Sequence, residues 1–166
     1  VHLSDALGNP VNDANGNPVT DIITTSTGAY MFTNLVPGDY IVTFTAPTGY
    51  NLTIADQGVD TTDSDASVVD GKTTTITLVS GVDQLTWDAG VYMPVSLGDF
   101  VWHDIDRDGI QDVTETGIAG ATVHLSDALG NPVNDASGNP VTDIITTATG
   151  AYLFTNLVPG NYIVTF

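Results

Sequence analysis

Residues 103–115 read His103-Asp104-Ile105-Asp106-Arg107-Asp108-Gly109-Ile110-Gln111-Asp112-Val113-Thr114-Glu115. When Asp104 is counted as the first position of a loop, oxygen donors fall at positions 1, 3, 5, 7, 9 and 12, and a glycine falls at position 6. This is the complete ligand spacing of a twelve-residue calcium loop. The spacing predicts a Ca²⁺ site with these ligands: Asp104, Asp106, Asp108, Ile110 through its main-chain carbonyl, Asp112 and Glu115.

The chemistry of the loop favours a bound cation. A hard divalent cation takes six to eight oxygen ligands at about 2.3–2.6 Å, and alternate Asp residues on a curled loop can supply them. Gly109 allows the sharp bend that follows the third Asp. The loop carries five carboxylates, and Arg107 offsets only one of their charges. Because like charges at short range repel one another, the loop needs a cation to fold tightly.

The segments on either side of the loop are typical of strands. Residues 97–102 (LGDFVW) and 121–125 (ATVHL) alternate in polarity and are rich in β-branched and aromatic side chains. A calcium sensor instead places such a loop between two amphipathic helices and converts binding into helix movement. We therefore expect calcium to clip the fold together, without switching its conformation.

Composition excludes several classes of partner. The chain of 166 residues has two basic and twenty acidic residues, a formal charge of −18, which disfavours nucleic acids and anionic membrane surfaces. Nineteen of the acids are Asp, a residue typical of turns and metal loops. There is no cysteine, so calcium would replace disulfides as the stabilising link of an extracellular domain. No apolar run approaches the ~18 residues of a membrane span, so membrane insertion is not expected.

Two segments of the chain are nearly identical. Residues 1–44 return as residues 123–166 at an offset of 122, with differences only at Asn15/Ser137, Ser26/Ala148, Met31/Leu153 and Asp39/Asn161. A period of about 122 residues is the size of a domain, so each unit should have its own core. We expect a unit at residues 1–93 that lacks its first strand and calcium loop, and a unit at 94–166 that lacks its C-terminal strands.

Short alternating segments separated by turn residues predict an all-β fold. Residues 152–157, 162–166 and 73–80 alternate in polarity, and residues 85–91 should bury Leu85, Trp87, Ala89 and Val91. In Val158-Pro159-Gly160-Asn161, proline and glycine stand where a type II turn requires them. About seven such strands per unit indicate a β-sandwich.

A second acidic stretch lies in residues 60–65 (DTTDSD). Counting strand directions places it at the same end of a complete unit as the calcium loop. Asp60, Asp63 and Asp65 are therefore candidate ligands of a second calcium ion. The alternative is an ordinary solvated polar loop, because the spacing by itself is not diagnostic.

Several separate motifs resemble the SdrD B-like domain, a calcium-binding repeat of serine–aspartate repeat surface proteins related to Cna-B modules. They are residues 97–104, 108–112, 115–120, 152–154, 157–160, 63–65 and 87–92. The resemblance implies a prealbumin-like β-sandwich, tandem copies in a stalk and a bacterial extracellular setting. It also maps the family's calcium loop onto residues 104–115 and its acidic segment onto Asp63 and Asp65. His103 departs from the polar or acidic residue expected before the loop.

These features lead to a structural function. We expect a calcium-stabilised stalk or filament repeat whose partners are neighbouring units of the same chain, and we expect no enzyme activity. Two alternatives remain: a ligand-binding adhesin module, and a subunit of an assembled extracellular fibre joined to other copies. Some Cna-B relatives form a Lys–Asn isopeptide bond, but Lys72 is the only lysine and follows an Asp-Gly turn, which disfavours that chemistry.

Overall fold

The computed structural model describes all residues, 1–166, and contains strands but no helix. The chain divides into two compact units, Val1–Tyr92 and Met93–Phe166. The predicted boundary, between residues 93 and 94, lies one residue after the observed boundary between the two units. No helix in the chain has the length and apolar character needed to cross a bilayer. The expectation that each unit lacks strands remains a prediction.

Unit 1 contains five short strands in two sheets. They are β1 (His2–Asp5), β2 (Gly38–Thr43), β3 (Asn51–Leu52), β4 (Ile76–Leu78) and β5 (Val91–Tyr92). The first sheet has the order β1-β2-β4 and the second pairs β3 with β5, and every pairing is antiparallel. The alternation of these strands turns one set of side chains inward. The resulting core consists of Leu3, Tyr40, Val42 and Ile76.

Unit 2 also contains five strands in two sheets. They are β6 (Val95–Phe100), β7 (Thr122–Asp127), β8 (Ile144–Ile145), β9 (Ala151–Leu157) and β10 (Tyr162–Thr165). One sheet has the order β10-β7-β8 and the other pairs β6 with β9. Buried residues from both sheets form one core, made of Val123, Leu125, Phe154 and Leu157. Packing of two sheets around a shared core is the arrangement of a β-sandwich, so the all-β prediction is confirmed.

Two local predictions are wrong. Leu85 is 71% exposed and Val91 is 41% exposed, because residues 85–90 form no strand and only Val91 and Tyr92 enter β5. The turn at residues 158–161 is not type II, since Gly160 is not among the glycines with positive φ. The left-handed residue of this region is instead Asn156, with φ 58°. Ile76 is buried and Thr77 exposed, as the alternation in residues 73–80 predicts.

Candidate metal centre

The acidic loop of residues 104–115 lies between β6 and β7, and paired backbone closes its base. Trp102 forms an antiparallel bridge with Gly117, and the His103 N–H donates to the Thr116 carbonyl at 2.9 Å. The loop therefore leaves and re-enters the sheet region at neighbouring points. The strand prediction for both flanks is confirmed, because β6 and β7 occupy them.

Three carboxylates meet within this loop. Asp104, Asp106 and Asp108 each offer one oxygen, and these oxygens lie within 4.8 Å of one another. Backbone donors curl the chain around them: Gly109 N–H donates to Asp104 Oδ2 at 3.0 Å and Ile110 N–H donates to Asp108 Oδ1 at 2.7 Å. The Asp108–Ile110 bond is an Asx turn, in which a side-chain oxygen replaces a backbone acceptor, and the Asp104–Gly109 bond closes a wider bend of five residues.

The bend itself uses left-handed backbone. Gly109 has φ 78°, as expected for the sixth loop position, and Arg107 has φ 65°. Left-handed geometry costs a non-glycine residue about 1–2 kcal/mol. Arg107 thus carries backbone strain at the bend that brings the alternate Asp carboxylates to one side.

Glu115 ties the two ends of the loop together. Its Oε1 accepts a hydrogen bond from Ile105 N–H at 2.7 Å, and its Oε2 accepts one from Asp112 N–H at 3.2 Å. Asp112 and Glu115 lie outside the group of three close oxygens, and Ile110 contributes its N–H to the loop turn described above. The structure thus brings together the first three predicted ligands, and the other three remain predictions.

One atom of the loop indicates that a cation fits. Asp104 Oδ1 is buried and has no hydrogen-bond partner. A buried carboxylate oxygen without a partner costs free energy, and the adjacent Asp106 and Asp108 carboxylates increase that cost through repulsion. A hard cation among the three oxygens would remove both penalties, and oxygen-only donors are the ligands that Ca²⁺ takes.

The second acidic stretch is folded into unit 1 without the same convergence of oxygens. The group of residues 104, 106 and 108 is the only one in which three acidic or histidine ligand atoms lie this close together, so Asp60, Asp63 and Asp65 form no such group. Asp65 is only 7% exposed, and Asp63 Oδ2 accepts from Gly58 N–H at 2.7 Å. Asp63 Oδ1 is buried and has no partner.

Asp88 belongs to this second cluster and was missed in the sequence. Its N–H donates to Asp65 Oδ2 at 2.7 Å, and the Asp65 N–H donates to the Asp88 carbonyl at 3.0 Å. Its position in a mostly apolar segment, residues 85–91, was the available signal, since an Asp among residues that are predicted to be buried requires an explanation.

The pKa values of several groups in and beside the second cluster are raised. Burial raises the pKa of Asp65, with smaller contributions from the nearby carboxylates Asp88, Asp60 and Asp63. Desolvation and the carboxylates of Asp63 and Asp60 also raise the pKa of Asp88. Burial, followed by the charges of Asp65 and Asp88, raises the pKa of Tyr30 to about 12. Negative charge is therefore concentrated here without compensation from the protein.

Comparison with known proteins identifies the family. The family model described as "SdrD B-like domain" matches residues 7–91 and 95–166. The chain belongs to the SdrD B-like domain family. No solved structure matches the chain.

Two relatives are similar to most of the chain. The chain is 40% identical over 145 residues to serine-aspartate repeat-containing protein F of Staphylococcus epidermidis, which covers 86% of this chain and 8% of that protein. It is 40% identical over 148 residues to serine-aspartate repeat-containing protein D of Staphylococcus aureus strain Newman, covering 88% and 10%. The chain therefore spans a tenth or less of the length of these relatives.

Family membership confirms the expected setting. The SdrD B-like chain is a repeat region of a bacterial surface protein, and its place is extracellular, at the cell surface. B repeats of this family bind calcium, and in this chain Asp104, Asp106 and Asp108 form an acidic group that could hold a metal ion.

The only lysine is exposed and lies beside an Asp two residues before it. Lys72 Nζ is 3.4 Å from Asp70 Oδ2, and the Lys72 side chain is 52% exposed, as its turn position predicts. Isopeptide-forming lysines require burial next to an acid, and the exposed position of Lys72 disfavours that role.

Proposed function

We propose that this chain is a structural repeat of a surface stalk, and that calcium bound by the loop of residues 104–115 stabilises it. The observation that carries the proposal is the convergence of Asp104, Asp106 and Asp108 oxygens within 4.8 Å, around a buried Asp104 oxygen that has no partner. Asp112, Glu115 and the Ile110 carbonyl would complete the ligand set.

The proposed mechanism is thermodynamic linkage. A ligand that binds only the folded state adds RT ln(1 + [L]/Kd) to stability, which is about 2.7 kcal/mol for a site of ~10 µM affinity in ~1 mM calcium. Single domains have only about 5–15 kcal/mol in total. One ion per unit would therefore provide a substantial part of the stability of a cysteine-free repeat, and stiff units in series would hold a stalk extended.

We propose a second, weaker calcium position in unit 1. Asp63 and Asp65 would bind through the buried Asp63 Oδ1 and the buried Asp65 carboxylate, with Asp60 and Asp88 as further ligands. Burial, followed by repulsion from neighbouring carboxylates, raises the pKa of Asp65 and Asp88, so a cation would be bound with a gain in stability. The wider separation of these carboxylates predicts weaker binding than at the loop of residues 104–115.

Chelation of calcium tests the main proposal. The chain has two tryptophans, Trp87 in unit 1 and Trp102 immediately before the loop, so Trp87→Phe and Trp102→Phe backgrounds report on the units separately. In the Trp87→Phe background we expect excess chelator to lower the Tm of unit 2 by about 10–20 °C. An unchanged unit 2 transition would rule out a structural role for calcium.

A charge-matched pair of variants makes this test specific to the loop. Asp104→Asn with Asp108→Asn should reproduce the chelated behaviour in saturating calcium. Asp39→Asn with Asp83→Asn removes the same charge elsewhere, and position 161 of the repeat already carries Asn where position 39 carries Asp. The control pair should therefore keep its calcium response. Equal behaviour of the two pairs would assign the effect to net charge.

We also propose partners for the stalk. Neighbouring repeat units are the expected partners, and assembly with other copies in a fibre is the alternative. A ligand-binding adhesin role would give equal affinity per unit in a single unit and in a long array, whereas a spacer would bind nothing in either form.

A further inference from the structure

Asn15 is the one asparagine of the chain that is followed by glycine. The side-chain amide of an asparagine can be attacked by the backbone nitrogen of the next residue, which closes a five-membered imide ring. A side chain on that next residue crowds the attack, and a proline has no N–H to give up. Four of the other asparagines precede proline: Asn9, Asn17, Asn131 and Asn139. The sequence therefore offers a single favourable step, Asn15-Gly16.

The structure leaves the Asn15 side chain exposed and free. Asn15 and Gly16 are both exposed, and no heavy atom lies within 4 Å of the place where a Cβ on Gly16 would stand. The Asn15 amide group makes no hydrogen bond within the chain, since only its backbone N–H is bonded. The amide groups of six other asparagines donate to Asp carboxylates: Asn9, Asn17, Asn34, Asn131, Asn139 and Asn156. Asn15 lacks this restraint.

The turn around Asn15 places only one obstacle in the way of the attack. The Gly16 N–H, which would supply the attacking nitrogen, donates to the Asp13 carbonyl at 2.9 Å. The Asn15 N–H donates to Asp13 Oδ1 at 2.9 Å and can stay in place. A single bond in an exposed turn outside any strand opens at low cost in a folded protein. The turn therefore slows ring closure without preventing it.

The repeated copy shows what position 15 would gain from an oxygen in place of the amide nitrogen. Ser137 occupies this position in unit 2, and its Oγ accepts a hydrogen bond from Asn156 Nδ2 at 3.0 Å. Asn34, the counterpart of Asn156, donates only to Asp13 Oδ2 at 3.3 Å. A carboxylate at position 15 would offer the Asn34 amide the second acceptor that it lacks.

We propose that Asn15-Gly16 is a self-modification site at which unit 1 loses an amide to water. The Gly16 nitrogen bonds to the Asn15 Cγ, the Cγ–Nδ2 bond breaks, and Nδ2 leaves as ammonia with the proton from Gly16. Water then opens the imide at either of its two carbonyl carbons. The product is aspartate when the Cγ–N bond breaks, and isoaspartate when the bond from N to the main-chain carbonyl carbon breaks.

Both products change unit 1 and leave unit 2 as it was. Each adds one negative charge beside Asp13, on a chain that already carries −18. Isoaspartate also lengthens the main chain by one carbon, within the turn that Asp13 closes through its bonds to Asn17. Ser137 has no amide, so the two copies diverge with time at a position where their backbone turns are alike. The reaction needs no metal, so it stands apart from the proposed calcium function.

Incubation of the intact chain in water enriched in heavy oxygen tests the proposal. Peptide mapping by mass spectrometry should find Asn15 converted before any other asparagine, with one solvent oxygen incorporated and with both aspartate and isoaspartate present. The rate should rise with pH, because the attacking nitrogen must lose its proton. It should be about two- to tenfold lower than in the urea-unfolded chain, which is the effect of one turn hydrogen bond.

Exchange of the two residues between the copies provides matched controls. Asn15→Ser should abolish the reaction in unit 1, and Ser137→Asn should introduce it in unit 2. Asn15→Asp gives the aspartate product directly, so its Asn34 side-chain NMR signals should match those that appear during incubation of the parent chain. Three results would each overturn the proposal: protection of Asn15 by about a hundredfold or more in the folded chain, equal conversion at the other asparagines, or no reaction in the Ser137→Asn variant.

Discussion

Residues 1–44 and 123–166 form a natural comparison, since 40 of the 44 positions are identical and yet they fold into different surroundings. Their local contacts are the same. Asp5 and Asp127 each accept backbone hydrogen bonds from residues two and four positions later, and the His2–Asp21 and His124–Asp143 pairs are both 2.7 Å long. Local chemistry therefore follows the sequence wherever the sequence is repeated.

Sheet pairing differs between the two copies. Residues 151–157 form β9 against β6, whereas residues 29–35 form no strand. Conversely, β2 pairs with β4, which buries Tyr40 and Val42, whereas the equivalent β10 has only β7 as a partner. A strand's partner lies far away in the chain, so identical segments acquire different structures when different neighbours are present.

The largest expected effect is a difference between Phe154 and Phe32, which occupy equivalent positions of the repeat. Phe154→Ala should cost about 3–5 kcal/mol in unit 2, because the side chain is buried in the core. Phe32→Ala should cost about 1–2 kcal/mol in unit 1, where the same ring is only partly buried. Urea unfolding in the single-tryptophan backgrounds measures both values, and equal losses would show that the two copies are equally packed.

Gly150 and Gly28 give the next largest contrast. Both have φ 82°, so Ala carries the same backbone strain at each, about 1–2 kcal/mol. At Gly150 the new Cβ would also lie 2.3 Å from the Val101 carbonyl oxygen, whereas Gly28 has open space around it. We expect Gly150→Ala to cost about 1–3 kcal/mol more than Gly28→Ala in thermal unfolding. A matched loss at the two sites would contradict the observed packing.

Thr146 and Thr24 occupy equivalent positions of the repeat and allow a buried hydroxyl group to be compared with an exposed one. Thr146 Oγ1 donates to the Ile118 carbonyl at 2.7 Å and accepts from the Ala121 N–H at 3.0 Å, and the residue is 4% exposed. Thr146→Val leaves both groups without a partner and should cost about 1–3 kcal/mol. Thr24 is exposed, so Thr24→Val should leave the Tm within about 2 °C of the parent.

The smallest effect is a pH dependence confined to unit 1. Burial raises the folded-state pKa of Asp65, so its ionised form opposes folding at neutral pH without metal. As pH falls through this raised pKa toward the ordinary value near 4, proton uptake by the folded state should raise the Tm of calcium-free unit 1 by a few degrees. Asp65→Asn should reduce that rise and leave the part that the raised pKa of Asp88 contributes, and an undiminished rise in the variant would assign it to other groups.

Both units should also lose folding stability at strongly acid pH, for a different reason. Hydrogen bonds from Asn9 and Asn17 lower the pKa of Asp5 and Asp13, and the equivalent asparagines lower the pKa of Asp127 and Asp135. A lowered pKa contributes stability that is lost only as pH falls below the unfolded value. Both units should therefore lose stability together at strongly acid pH, and loss in only one unit would contradict their common turn chemistry.

The loop of residues 104–115 shows which site residues a sequence motif can predict. Position counting identified Asp104, Asp106 and Asp108, which the structure brings together, because side-chain-to-backbone hydrogen bonds within the loop and the left-handed backbone at residues 107 and 109 are local interactions. Asp88 could not be found in this way. Its backbone N–H donates to the Asp65 carboxylate across 23 residues of sequence, and only the folding of unit 1 brings the two residues together.

The sequence by itself determined the all-β class, the repeat of 122 residues and the turns that its Asp, Asn and Gly residues form, since these depend on side-chain period and local hydrogen bonds. Only the tertiary structure decided which copy of a repeated segment becomes a strand. It also decided which aromatic side chains are buried and which acids share a site. Pairing and burial are long-range interactions, and residues 29–35 and 151–157 differ in both because only one of them has a neighbouring strand.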